Sequence, residues 1–447
     1  MVSTFMALPY SRPRGSNLKQ RREDIVERQK APSRRTFLKT GAITAGAAAL
    51  NAKSYARASG ANDRLNAGII GCGGIASGHL NALLSLVEED NVAVTRVCDV
   101  YTKRAQEFTD RIKDAGGEAK PTGDYRELLN DPDIDYVIVA TPEHAHHYLT
   151  MAALEAGKHV YCEKPLCYDI REAKEVVRKA ARTGLKLQVG VQGMSDDSYS
   201  SAHEAILAGK IGQVVEAQID YVRNHGLDLG PWRRRTLPAT EKPADLDWNA
   251  WVHPRTMRPW DPHHYFEWRC YRDYSGGIAT DLFVHRITRL IRACGLTFPI
   301  RAAGMGGIYT WDDGRDLPDS LEVLLEYPAV EGITQGMTVH LLGTMANKNR
   351  NPHCIRGKDG TLVFTSEGWE IVSEKKSEVV ETHAKTGGED LRLHHMNHHA
   401  AIRKGAELNC PPELGLYGVV ASRMGNLSIF QRKMVEWDFT RQHVVAS

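Results

Sequence analysis

The sequence predicts an α/β fold, and three observations predict it. Strand-like and helix-like segments alternate from residue 66 onward, a glycine-rich string separates the first strand from the first helix, and an aspartate closes the second strand. Short apolar runs at 67–70, 92–98, 136–140, 159–162 and 187–191 read as buried strands. The stretches 75–87, 102–112, 144–156 and 170–182 between them carry helical periodicity. Strands separated by helices of this length form parallel units with right-handed crossovers. Gly157 and Gly184 are placed to stop two of the helices.

Gly71-Cys72-Gly73-Gly74-Ile75-Ala76 sits between strand and helix, where a GxGxxG-like string carries structural meaning. Gly71 permits the tight turn, Gly73 lets the backbone approach a diphosphate, and Ala76 takes the third small position. The helix N-terminus, from Gly74 and Ile75 onward, can receive the diphosphate charge. Asp99 ends the second strand, where a carboxylate accepts bonds from adenosine ribose hydroxyls and repels a ribose phosphate, so NAD is expected rather than NADP. Thr141 and Pro142 follow the third apolar run, and Glu163-Lys164-Pro165 the fourth. Strand C-termini form the ligand edge of such a sheet, and Thr141 with Pro142 is expected to border the nicotinamide. His144, His146 and His147 follow at once; capping or packing explains them better than metal ligation, and no metal is expected.

The chain begins differently. Ser33-Arg34-Arg35-Thr36-Phe37-Leu38-Lys39, then a small-residue apolar run, reads as a twin-arginine export signal, with Ala56-Arg57-Ala58 as a cleavage site. The first 60 residues hold twelve Lys/Arg against three acids, and the remainder 45 against 52. A basic, removable leader therefore precedes an acidic body, which excludes general nucleic-acid binding. The apolar run at 41–50 is far too short for a bilayer span, so no membrane span is expected in the mature form. The expected location is the periplasm or another extracytoplasmic space, with the twin-arginine machinery as partner. Eight cysteines without a CxxC pair suggest neither an iron–sulfur nor a zinc site.

Three parts are expected: a leader at 1–60, a Rossmann domain at 61–192, and a second α/β domain at 193–447. In the last, strands are expected at 212–221, 301–309, 320–327, 332–341 and 360–364, and a long helix at 413–430 that returns toward the first domain. The stretch 232–274 is unusual, with Trp232, Trp248, Trp251, Trp260 and Trp268 among histidines, tyrosines and arginines. It suits a sugar-stacking face, a packed loop or a subunit interface equally. His394, His395, His398 and His399 cluster near a helix start, with no third metal ligand identifiable.

Gly71 through Gly74 with Asp99, then Thr141-Pro142 and His146, then Glu163-Lys164-Pro165, resembles the Gfo/Idh/MocA family of oxidoreductases. The resemblance extends over most of the chain from residue 65. It implies an N-terminal Rossmann domain that binds NAD, followed by an α/β domain built on a large open, mainly antiparallel sheet. It also implies a cofactor-binding set of Gly71, Gly73, Gly74, Ile75, Asp99, Thr141, Pro142, His146, Glu163 and Lys164, with a cis peptide before Pro165. A second signature of the family is a glycine pair followed by Asp and His four apart, here Gly276-Gly277 with Asp281 and His285. Phe283 and Thr288 depart from the common pattern, which puts substrate identity in doubt while leaving the pair intact. By resemblance Lys164, Asp281 and His285 are catalytic, and a homodimer or homotetramer is expected.

The chemistry so implied is hydride transfer on a sugar, glycoside or cyclitol hydroxyl or carbonyl. His285 takes the hydroxyl proton, Asp281 orients it or binds a neighbouring hydroxyl, and Lys164 steadies the developing alkoxide; Lys164 and His285 can exchange these roles. The alternative is a redox-assisted glycoside hydrolase or lyase with a tightly bound, recycled NAD.

Overall fold

The computed structural model describes residues 63–446. The expected leader, at 1–60 with Arg34, Arg35 and the expected cleavage site at 56–58, lies outside the described residues. The first half runs β1 (Leu65–Ile70), α1 (Gly74–Ser85), β2 (Val92–Cys98), α2 (Thr102–Asp114), β3 (Lys120–Thr122), α3 (Tyr125–Leu129), β4 (Tyr136–Val139), α4 (His146–Glu155), β5 (His159–Glu163), α5 (Ile170–Thr183), β6 (Leu187–Gly190) and α6 (Ser198–Leu207). All four residues of β4 and of β6 are buried, as strands covered by helices on both faces must be. The six strands pair in parallel in the order β3-β2-β1-β4-β5-β6. This is the doubly wound Rossmann order, whose ligand crevice opens where the order reverses between β1 and β4. Local signals set the helix ends: Asp169 and Glu172 form a reciprocal cap on α5, and Gly184 closes it in the left-handed conformation.

The second half adds β7 (Val214–Val222), α7 (Trp248–Val252), α8 (Pro262–Phe266), α9 (Val284–Cys294), β8 (Arg301–Gly307), β9 (Ser320–Tyr327), β10 (Met337–Thr344), β11 (Cys354–Gly357), β12 (Gly360–Phe364), β13 (Gly368–Ser373), β14 (Val379–Ala384), α10 (Leu391–Lys404), α11 (Pro412–Gln431), β15 (Val435–Asp438) and β16 (His443–Ala446). Ten of these strands form one open sheet ordered β14-β13-β12-β11-β7-β10-β9-β8-β15-β16. Only β7 with β10 pairs in parallel; the rest is antiparallel. The expected class is thus the observed one, a Rossmann region followed by a mixed, mostly antiparallel sheet. Strand β10 lies later than the expected 332–341, because residues 330–334 close a turn through the Val330–Thr334 bridge.

Helix α11 is buried along most of its length and carries three glycines that bring neighbours close. A Cβ on Gly415 would stand 2.7 Å from Val189 of β6, one on Gly418 2.4 Å from Thr288 of α9, and one on Gly425 2.8 Å from Val323 of β9. The same helix therefore packs against both sheets' elements with its backbone nearly in contact. All eight cysteines are buried free thiols. Among the described residues no helix is long and apolar enough to cross a membrane.

Candidate active site

The glycine-rich turn is held by the acid that the sequence places beside it. Gly71 adopts φ +92°, and a Cβ there would press within 2.9 Å of the Ala140 backbone. Asp99 accepts from the Cys72 N–H at 2.7 Å and from the Tyr101 N–H at 2.8 Å. Burial raises its pKa, opposed by Arg104 and by these two amides. Gly73 and Gly74 face open space, where a Cβ would meet no atom within 4 Å, and no side chain caps α1. The helix thus presents unoccupied N–H groups at the ligand edge, as diphosphate binding requires.

In front of this turn lies a cavity of about 280 Å³. Gly71, Gly73, Gly74, Ile75, Asp99, Thr141 and Pro142 line it, all from the anticipated cofactor set. Three polar atoms on its walls are buried without a protein partner: Thr141 Oγ1, His144 Nδ1 and Tyr265 OH. Orphaned polar atoms around a cleft fit a polar ligand, since leaving them unsatisfied is costly. His146, Glu163 and Lys164 lie outside this wall. The His146 ring sits between the Pro165 carbonyl at 2.7 Å and the Thr141 carbonyl at 2.9 Å, bracing both ligand-edge turns. Glu163 accepts from its neighbour's Lys164 N–H at 3.1 Å and pairs with His79 at 3.0 Å.

Lys164 precedes a cis proline, and its Nζ donates to Asp281 Oδ1 and to the Asp281 carbonyl, both at 2.8 Å. Arg269 Nε donates to the same Oδ1 at 3.0 Å. Burial alone would raise the Asp281 pKa, but the Arg269 guanidinium and Lys164 ammonium hold it well below the usual carboxylate range. Asp281 lies in a π-helical turn, Ile278–Phe283, that leads directly into α9. Such turns recur at functional sites because they redirect side chains within a helix. His285, on the first turn of α9, is half-buried and makes no hydrogen bond with the described residues. Burial, then Lys164 and Arg289, push its pKa well below the ordinary histidine value, so the ring is neutral and able to accept a proton.

Two residues essential to this geometry escaped the sequence reading. Arg269 was one arginine among several in an aromatic-rich stretch, with no local mark. Glu143, buried, accepts from Ser275 Oγ at 2.5 Å, Thr280 Oγ1 at 2.6 Å and Gly276 N–H at 3.2 Å, fastening the glycine-pair turn to the Rossmann edge. Its position directly after Thr141-Pro142 was the only signal. The four histidines of α10 are packing residues. His394 contacts Ser195 Oγ and the Val189 carbonyl, His395 contacts His79, and His399 contacts Asp90 and Tyr136 OH. Among the described residues no group of three His, Cys, Asp or Glu is placed to hold a metal.

Residues 65–191 match the model of an oxidoreductase family with an NAD-binding Rossmann fold, Gfo/Idh/MocA. This stretch belongs to that family. Inositol 2-dehydrogenase of Salmonella typhimurium is 37% identical over 150 residues, which is 33% of this chain and 43% of that protein. D-xylose 1-dehydrogenase (NADP(+)) of Hypocrea jecorina is 38% identical over 180 residues, 39% of this chain and 46% of that protein. The match therefore spans less than half the length of these curated relatives. Solved structures share the fold more widely. Levoglucosan dehydrogenase in complex with NADH has a TM-score of 0.64 at 19% identity, covering 83% of this chain and 99% of that one. Aldose-aldose oxidoreductase of Caulobacter crescentus has a TM-score of 0.63 at 16% identity, with 83% and 99% covered.

Proposed function

We propose that this protein is an NAD-dependent oxidoreductase that transfers a hydride to or from a sugar, glycoside or cyclitol carbon. One observation carries the reading: Arg269 is both a wall of the dinucleotide cavity and a partner of Asp281, which Lys164 also holds. The cofactor cleft and the charged Lys–Asp pair are therefore one site. The residues fit the cofactor. Asp99 would hold the adenosine ribose, the Gly73–Gly74 amides the diphosphate, and Thr141 Oγ1 a carboxamide or ribose group. When bound, NAD supplies the hydride acceptor or donor. Buried, Asp99 disfavours a 2′-phosphate, in keeping with NAD.

An ammonium has three N–H donors, and Lys164 spends two bonds on Asp281. The third is available to the substrate oxygen, where a positive charge steadies a developing alkoxide. No hydrogen bond from the described residues reaches Asp281 Oδ2, which is free to accept from a neighbouring hydroxyl. His285, neutral and unpaired, is the base that takes the hydroxyl proton. The related dehydrogenases named for inositol and D-xylose support a polyol substrate.

The twin-arginine string at 33–39 supports export to the periplasm. Exchanging Arg34 and Arg35 for lysine together would leave the chain in the cytoplasmic fraction; secretion of that variant would reject the assignment. Met305 and Leu324, exposed on adjacent strands of the open sheet, support a homodimer or homotetramer, which light scattering reads directly. The enzymatic reading is tested by incubating the purified chain and NAD with a panel of polyols, glycosides and cyclitols while following NADH absorbance and products. NADH or an oxidised sugar supports it; a chain that binds NAD but transforms none of these classes refutes it.

A further inference from the structure

The stretch 232–274 has a place that neither its composition nor the family match assigns. Its aromatic residues form a separate core, in which Trp248, Trp251, Tyr265, Phe266 and Tyr274 pack against one another. That core does not lean on the ten-stranded sheet alone. It is hooked onto the Rossmann edge immediately after Asp99. The Asp247 N–H donates to the Val100 carbonyl at 2.8 Å, the Thr102 N–H to the Asp245 carbonyl at 3.1 Å, and Tyr101 bridges Leu246 as in an antiparallel pair. Asp245 Oδ2 accepts from the Lys103 N–H at 3.0 Å, and His144 Nε2 donates to the Trp251 carbonyl at 2.8 Å. The Arg104 guanidinium lies 5.2 Å over the Tyr265 ring.

The consequence lies in the cavity. Arg234, Trp251, Tyr265, Phe266, Trp268 and Arg269 supply its second wall, opposite the glycine-rich turn. Tyr265, only 3% exposed, brings a hydroxyl without a partner to that wall, and Thr141 Oγ1 faces it from the other. Arg104, Arg234 and Arg269 set three guanidinium groups around a cavity whose own wall carries a single carboxylate, Asp99. This is the charge balance a dinucleotide diphosphate requires.

We propose that residues 234–269 form a strap that is part of the cofactor site and retains the dinucleotide. Tyr265 OH and the Arg234 guanidinium bind it, and the Val100–Thr102 pairing with Asp245–Asp247 keeps the strap closed. The proposal rests on the NAD reading above and goes beyond it: the Rossmann domain by itself forms only one wall. A strap so anchored slows cofactor release, because the strap must detach from the β2 end before the ligand can leave.

The test uses the full chain and NADH, read by energy transfer from tryptophan to the nicotinamide and by displacement with excess NAD. Arg234 is exposed at the cavity mouth, so Arg234→Ala removes a ligand contact without opening the core. Asp245→Ala removes a strap anchor distant from the ligand atoms. Each is expected to speed NADH release roughly tenfold or more, the loss of one charge-assisted bond. Glu241→Ala, exposed on the same stretch and outside the cavity wall, is expected to release NADH at the parental rate. Unchanged melting temperatures would separate these effects from unfolding. Release rates in both Arg234→Ala and Asp245→Ala equal to the parent's would overturn the strap while leaving the NAD reading intact. Failure of the folded parent chain to bind NADH would end both.

Discussion

Asp281 owes its charge to two neighbours. Its carboxylate is buried, yet Arg269 and Lys164 together more than offset the desolvation. Because its folded pKa is depressed, its stabilising effect is complete above the ordinary carboxylate value and is lost as pH falls through the folded one. Arg269→Leu removes one cation, so the Asp281 pKa rises toward the ordinary carboxylate value, which an NMR titration of the Asp281 carboxyl reads. An unmoved titration would show that Arg269 does not hold the Asp281 charge. Lys164→Ala is expected to lower kcat by about 10²–10⁴, the usual reach of a positioned proton-handling group, with NADH affinity little changed. Turnover near the parental rate would remove Lys164 from the mechanism. The glycines and Asp99 were legible in the sequence because their roles are local, fixed by one turn between one strand and one helix. Arg269 and Glu143 were not, because each meets its partner only after the two halves of the chain have packed.

The elements divide along the same line. Strands β1 and β4 to β6 were legible because nearly all their residues are buried, which writes an apolar run into the sequence; β2, with Ala93, Thr95 and Arg96 half-buried, shows its apolar residues at Val92, Val94, Val97 and Cys98. Strand β3, Lys-Pro-Thr at an exposed sheet edge, writes no such run, and neither does β14, most of whose residues are exposed. The π-helical turn at 278–283 has no mark in the sequence, since a single inserted residue leaves no periodic trace. Helix α11 runs at nearly its expected limits, and close packing explains its three glycines. Gly418→Ala would drive a Cβ to 2.4 Å from Thr288 Oγ1, and overpacking of this kind costs about 1–3 kcal/mol. Adding Thr288→Ala removes that oxygen and is expected to restore most of the loss, since the Thr288 Cβ lies at 3.6 Å. Denaturant unfolding of the two single variants and the double variant checks the coupling. Additive effects would show that the close approach is relieved elsewhere.

For the molecule as a whole, buried neutral histidines set the response to acid. Burial pushes His144 to about 3 and His394 to about 4. It likewise lowers His285, His395 and His398 well below 6.5. Folded pKa values below the unfolded one make the unfolded chain take up protons first, so stability is complete above about 6.5 and falls as pH drops below it. Each such ring costs about 1.4 kcal/mol per pH unit across that window. The melting temperature is therefore expected to hold between pH 8 and 7 and to fall steeply from 6 toward 5. A flat profile would mean that these rings are protonated in the folded state.

The joining of cofactor cleft and charged pair into one site is decided by a crystal structure of the protein with NADH and a bound polyol. The expected result puts the adenosine ribose on Asp99, the diphosphate at Gly73 and Gly74, and the substrate oxygen within hydrogen-bond reach of Lys164 or His285, its carbon about 3–3.5 Å from the nicotinamide. A nicotinamide separated from Lys164, Asp281 and His285 by solvent or by another element, in a complex with both ligands in place, would contradict it.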